Sequence, residues 1–241
     1  MKITYIYHSC FVVELEKDIL IFDYYKGKLP QFDTSKRIFV FSSHKHYDHF
    51  SKEIFQIFDS YKEVSYILSD DIKINEEYMV TQDVTKENYD KIVYISPNKT
   101  LTIAPGVSIT TLASTDEGVA FYLDINGNII YHAGDLNWWT WIGETMEEYT
   151  DMTNRFKNEI KKLEGKNIDV AFLPLDPRQE DRFCWGFDYF MKHTNTKHAF
   201  PMHFWEDPSV IDKLKSMEIA NEYKDRIMNV GKEGEEFLLT L

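Results

Sequence analysis

The sequence predicts a layered α/β protein folded as one domain over residues 1–241, and three observations predict it. Strand-like runs alternate with helix-patterned stretches in both halves of the chain, the pattern of stacked sheets and helices. Hydrophobic residues make up 43% of the 241 positions, enough for a sizeable core. No repeat, low-complexity tract or linker rich in Gly, Ser or Pro divides the sequence.

In chain order, the opening "MKITYIYHSCFVVELEKDILIFDYY" places β-branched and aromatic residues on both sides of the polar Glu16-Lys17-Asp18 and reads as a hairpin. "RIFVFSS", from Arg37, is a short buried strand. The stretch from Lys52 to Tyr61 spaces Ile54, Phe58 and Tyr61 along one helix face, with Ser51 as its N-cap. Short strands follow around Val64 to Leu68, Lys91 to Ile95 and Val107 to Leu112. "VAFYLDINGNIIYHAGD" is a hairpin turning at Asn126-Gly127 and ending in Asp135. Between Glu144 and Leu163, helical spacing of Met152, Phe156, Ile160 and Leu163 predicts a surface helix. "IDVAFLPLD" is a buried strand entering a proline-bounded loop, Phe187 to Thr194 a short helix, and "HAFPMHF" a strand ending near His203. A helix from Pro208 to Met217 and a strand from Glu236 to Leu241 close the chain.

Composition narrows the function classes. Forty acidic against 27 basic residues give a net charge of −13, with the lysines scattered. That balance disfavours a nucleic-acid partner, whose phosphates need a basic stripe. There is neither a signal-peptide core nor an apolar span of about 18 residues, so a cytoplasmic protein with no membrane partner is expected. Cys10 and Cys184 show no CxxC spacing and read as packing thiols of a reducing compartment. Assembly into a homo-oligomer is left open.

The densest chemistry lies in "FSSHKHYDHF", which follows the apolar strand and spends three of the eight histidines within six positions. In an extended backbone His44, His46 and Asp48 project the same way and converge, while His49 points elsewhere, so the cluster can serve two centres. Imidazole nitrogen and carboxylate oxygen are ligands that divalent zinc takes, and a catalytic zinc lowers the pKa of its water to roughly 7.

"HKHYDH" resembles the signature of the metallo-β-lactamase-fold metallohydrolases, and "YHAGD", "DVAFLPLD" and "PMHF" occur in the order seen in the branch that includes ascorbate 6-phosphate lactonase. The resemblance covers about Lys2 to His203. It implies a four-layer αββα sandwich, two mixed β-sheets flanked by helices. It also implies that His44 and His46 bind one metal, that Asp48, His49 and His203 bind a second, and that Asp135 lies between them, with Asp48 and Asp135 as the catalytic carboxylates. The family's further histidine on the loop before "HAGD" is absent here, since none occurs between His49 and His132; Asp116 in "LASTDEG" is a candidate oxygen substitute, with Ser114 and Thr115 as alternatives beside it.

Residues around this set carry weaker signals. His8 and the loop residues Asp176 and Arg178 stand where the related branch faces its substrate, and Trp138, among Trp138, Trp139 and Trp141, is a candidate for lining the cleft. His132 reads as structural, His193 and His198 as surface residues. Asp23 resembles the family's structural aspartate beneath the metal loop and is left out of the site. The implied function is a zinc hydrolase with one or two ions, manganese and iron remaining open. Its metal-bound hydroxide would attack a small-molecule ester, lactone or phosphoester. The rivals are a non-catalytic or sensing protein with an incomplete first metal site, a di-iron protein, in which glutamate typically replaces the second histidine of the cluster, and a nuclease, which the acidic composition opposes.

Overall fold

The computed structural model describes residues 1–75, 79 and 84–240. By its contacts the chain divides into two compact units, residues 1–96 with 232–241, and residues 97–231. Each carries one mixed sheet.

The first unit begins with β1 (Lys2–Tyr7), β2 (Cys10–Glu14) and β3 (Asp18–Phe22), paired antiparallel. Parallel to β3 then run β4 (Arg37–Ser42), β5 (Val64–Ser69) and β6 (Ile92–Ile95), their crossovers carrying α1 (Glu53–Ile57) and α2 (Lys86–Asp90). Alternation decides the packing: Ile19, Ile21, Ile38 and Val40 belong to one core cluster with Ile54, Phe55 and Phe58 from around α1. Their neighbours Leu20, Phe22, Phe39 and Phe41 are buried as well, so these strands read as continuous apolar runs.

In the second unit β7 (Thr100–Ala104), β8 (Val107–Ala113), β9 (Val119–Ile125) and β10 (Asn128–His132) form an antiparallel meander. The turn between β9 and β10 puts Asn126 and Gly127 at φ 52° and 86°, as a two-residue hairpin loop requires. Two strands parallel to β10 extend the sheet, β11 (Asn167–Pro174) and β12 (Asn195–Met202). Its helices are α3 (Met146–Ile160), α4 (Trp185–His193) and α5 (Ser209–Ser216). A capping box starts α3, Thr145 accepting from the Glu148 backbone while Glu148 reaches back. The last strand, β13 (Glu236–Leu238), returns to the first unit and pairs with β1 as the sheet's outer edge.

Sequence and structure differ in detail. The predicted helix from Lys52 to Tyr61 shortens to Glu53–Ile57, with Lys52 at the N-cap position and Ser51 Oγ accepting the Glu53 N–H at 3.2 Å. Strand β7 and helix α2 were not predicted: five residues each is too short to establish a period. Leu241, at the end of the predicted last strand, lies outside the described residues. Among the described residues no helix is long and apolar enough to cross a membrane, and both thiols are buried and unbridged.

Tyr131 gives a test of the core. Its ring is fully buried and stacks on Phe190 at 4.8 Å, but its hydroxyl has no hydrogen-bond partner among the described residues. Tyr131→Phe therefore removes an unsatisfied buried group, and chemical denaturation should show stability unchanged or raised by about 1 kcal/mol. A loss of that size would reveal a bond to the hydroxyl.

Candidate metal centre

Each unit gathers histidine and carboxylate side chains at the carboxyl ends of its parallel strands. In the first unit the anchor is Asp23, the residue after β3, fully buried with φ 46°. The register that sets Phe22 opposite Phe41 brings it alongside Ser43. Its Oδ1 accepts the Ser43 backbone N–H at 2.7 Å, and its Oδ2 accepts the Ser43 hydroxyl at 2.7 Å and the His49 Nδ1–H at 2.8 Å. With the hydroxyl proton committed to Asp23, the 3.0 Å contact between Ser43 Oγ and His44 Nδ1 must be donated by the imidazole. One carboxylate thus sets the tautomers of His49 and His44, leaving the lone pair of each on Nε2.

His44 Nε2 lies 3.0 Å from His46 Nδ1. This is a hydrogen-bond distance, and it is within a few tenths of an ångström of the roughly 3.3 Å that separates two nitrogen ligands of one tetrahedral zinc. After His46 the chain is not extended as expected. The N–H groups of His49 and Phe50 both donate to the His46 carbonyl at 3.0 Å, and this turn groups Asp48 with His49 and His8 instead of with His44 and His46.

Ligand atoms of His8, Asp48 and His49 lie within 4.8 Å of one another, with His8 Nε2 3.5 Å from Asp48 Oδ2. All three residues are buried. Burial works to raise the Asp48 pKa, but its neighbours His8 and His49 outweigh it and hold the carboxyl well below the usual range. His8, expected at the substrate, occupies the β1–β2 turn with φ 55° and directs its ring at Asp48.

In the second unit β10, β11 and β12 lead into Asp135, Asp176 and His203. Gly134, at φ 51°, donates its N–H to His132 Nδ1 at 3.1 Å, so His132 braces the turn that presents Asp135. His203, at φ 60°, donates Nδ1–H to Asp176 Oδ2 at 3.0 Å, which leaves its Nε2 lone pair 3.5 Å from Asp135 Oδ1. Two electron-rich atoms at that distance suit a cation between them. Exposed Asp116 brings a carboxylate oxygen within 4.8 Å of one on Asp135.

Asp176 corrects an expectation. It is fully buried, and both its oxygens accept from Arg178, 2.9 Å from Nε, as well as from His203. Burial opposes its ionisation, yet the bonds from His203 and Arg178 keep it well below the ordinary carboxylate pKa. Its place is behind His203, orienting the ring, and not against a substrate. The Arg178 side chain is about half exposed, 52%, its guanidinium 4.8 Å over the Trp205 ring.

Trp138 is a second correction. Its indole N–H donates to Thr153 Oγ1 at 3.0 Å and its ring packs on Phe156, Trp185 and Tyr189, so it belongs to the helix interface. Trp139 is instead beside Asp135 and His203, donating Nε1–H to the Asp135 carbonyl at 2.9 Å with its ring 5.4 Å from that of His203. Loop rotation separates these neighbours. Thr115 donates to the Asn137 carbonyl, Asn137 to Gln179, and Gln179 to the Trp138 carbonyl. Gly186 leaves room for this network, since a Cβ there would meet Asn137 Oδ1 at 1.9 Å.

No protein-family model matches the chain. It is 29% identical over 219 residues to a metal-dependent hydrolase of Nanoarchaeum equitans, covering 85% of this chain and 84% of that one. A solved metallo hydrolase from Ignicoccus hospitalis superposes with a TM-score of 0.62 at 19% identity, covering 99% of both chains. A metallo-β-lactamase fold protein from Bacillus subtilis gives 0.57 at 14% identity over 98% of both.

Asp23→Asn and Asp176→Asn test the orienting carboxylates. Either amide turns an N–H toward donors that need an acceptor, which for Asp23 frees His49 to move its proton to Nε2. Each variant should bind zinc about ten- to hundredfold more weakly in a chelator competition, with the circular dichroism of the sheets unchanged. Unaltered affinity in both would remove the orienting role.

Proposed function

This chain has the metallo-β-lactamase fold, and we propose that on it the chain acts as a metal-dependent hydrolase of a small-molecule ester, lactone or phosphoester, with zinc as the metal. The carrying observation is the pair of buried carboxylates, Asp23 and Asp176, that fix imidazole tautomers with the proton on Nδ1. In this reading His44 and His46 hold one ion with Asp135 and Asp116, while His8, Asp48, His49 and His203 hold another. The donor set fits: imidazole nitrogen and carboxylate oxygen suit zinc.

When bound, such ions polarise a carbonyl or phosphoryl oxygen and bring the pKa of water to about 7. The chain's own groups do the rest. Asp48 and Asp135 are the carboxylates placed to accept and return protons. Trp139 packs its ring against His203 and holds the Asp135 carbonyl, and Arg178, partly exposed beside Asp176, can steady an anionic group. Buried Cys10 and Cys184 suit a reducing, cytoplasmic setting.

One observation favours a second reading, a metal-binding sensor: exposed Asp116 stands on the loop that lacks the family's histidine. Asp116→Ala separates the two, since turnover with unchanged metal content supports the enzyme, while one inert ion and no turnover supports the sensor.

Protein grown with zinc should carry metal and hydrolyse at least one member of a lactone, ester and phosphodiester panel. Chelation should abolish the activity and zinc, manganese or iron restore it. Asp135→Asn should lower kcat/KM by about a hundredfold or more. Metal-free protein from zinc-grown cells, or hydrolysis that survives chelation, would contradict the reading.

A further inference from the structure

The second unit contains a cleft of about 410 Å³ that the metal chemistry leaves unexplained. Its walls include Trp139, Trp141, Glu144, Glu148, Asp151 and Arg155, and its volume is that of a small-ligand site. The two indoles lie nearly parallel, 5° apart in plane with centroids 6.2 Å apart. Trp139 also donates to the Asp135 carbonyl and packs its ring 5.4 Å from that of His203, so one wall residue of the cleft is shared with those positions.

Its charges do not cancel. Glu144 pairs with Arg182 at 2.6 Å and Asp151 with Arg155 at 3.0 Å, and Arg155 further donates Nη1–H to the Thr115 carbonyl at 3.0 Å. Glu148 has no Lys or Arg partner among the described residues. Its Oε2 accepts the Thr145 N–H and hydroxyl, both at 2.8 Å, and Oε1 remains available. Those two bonds from Thr145 hold the carboxyl below its ordinary pKa. An uncompensated carboxylate beside indole faces is the chemistry that receives an organic cation, because the ring quadrupole and the carboxylate attract the same charge.

We propose that this cleft binds an ammonium group, primary or quaternary, and that the hydrolase substrate carries one. The cleft's preference for cations stands on its own walls, and only its link to turnover rests on the hydrolase reading.

Choline, its neutral isostere 3,3-dimethylbutan-1-ol and the anion 3,3-dimethylbutanoate are titrated into the protein as purified and after chelator treatment, followed by the indole N–H resonances. Choline should give saturable shifts in both samples, with the neutral alcohol about tenfold weaker and the anion weaker still. Trp141→Ala and Glu148→Gln should each reduce choline affinity severalfold, the latter keeping the helix cap that glutamine also makes. Equal binding of alcohol and choline, absence of saturable shifts, or choline affinity unchanged in Trp141→Ala would overturn the proposal. Choline binding by a protein that never takes up metal would remove the hydrolase reading and leave the cation cleft standing; metal-dependent turnover without cation preference would leave the hydrolase reading standing and overturn the claim that its substrate carries an ammonium group.

Discussion

A buried carboxylate hydrogen-bonded to an imidazole Nδ1 is the interaction on which the rest of the site depends, and the molecule makes it twice. A neutral imidazole has one proton and two places to put it, and only the nitrogen without the proton can hold a metal. Asp23 claims the proton of His49 and, through Ser43, that of His44; Asp176 claims that of His203. A carboxylate buried without partners would cost several kcal/mol, which is why each is so fully bonded. Asp23 takes donors from Ser43 and His49, and Asp176 takes them from Arg178 and His203.

Such placement constrains the backbone. His8, Asp23 and His203 all hold φ between 46° and 60°, a conformation that disfavours non-glycine residues by about 1–2 kcal/mol each. Each reverses the chain directly after a strand, so the sheet's rigidity is transmitted to a side chain one residue beyond it. The hydrogen bonds just described hold Asp23 and His203 there, and strained backbone of this kind gathers where geometry is functional.

Much of this was legible in the sequence, for identifiable reasons. Density made the histidines of "HKHYDH" conspicuous, and the apolar run before them located a strand end. Most strands of both sheets were readable because β-branched and aromatic residues fill them, although the opening hairpin proved to be three strands, and α3 was readable because its apolar residues keep helical spacing. The orienting work of Asp23 and Asp176 was harder to see, since it depends on strand register: Asp23 meets Ser43 only because Phe22 pairs with Phe41. Asp48 was assigned to an extended segment that in fact turns, through bonds to the His46 carbonyl that composition does not reveal. The choice between Trp138 and Trp139 was beyond the sequence too, because a network of Thr115, Asn137 and Gln179 decides how that loop rotates.

The carboxylates prepare nitrogen donors, the strand ends aim them, and the tryptophan cleft gives the chemistry a candidate specificity. All three matter to catalysis only if a cation unites the prepared donors. A crystal of zinc-grown protein, with anomalous scattering measured on both sides of the zinc edge, addresses this directly. The account predicts anomalous density bonded to Nε2 of His44, His49 and His203, with Asp135 among the ligands. Density confined to other residues, or Asp135 and His203 standing apart from the early histidines, would contradict it.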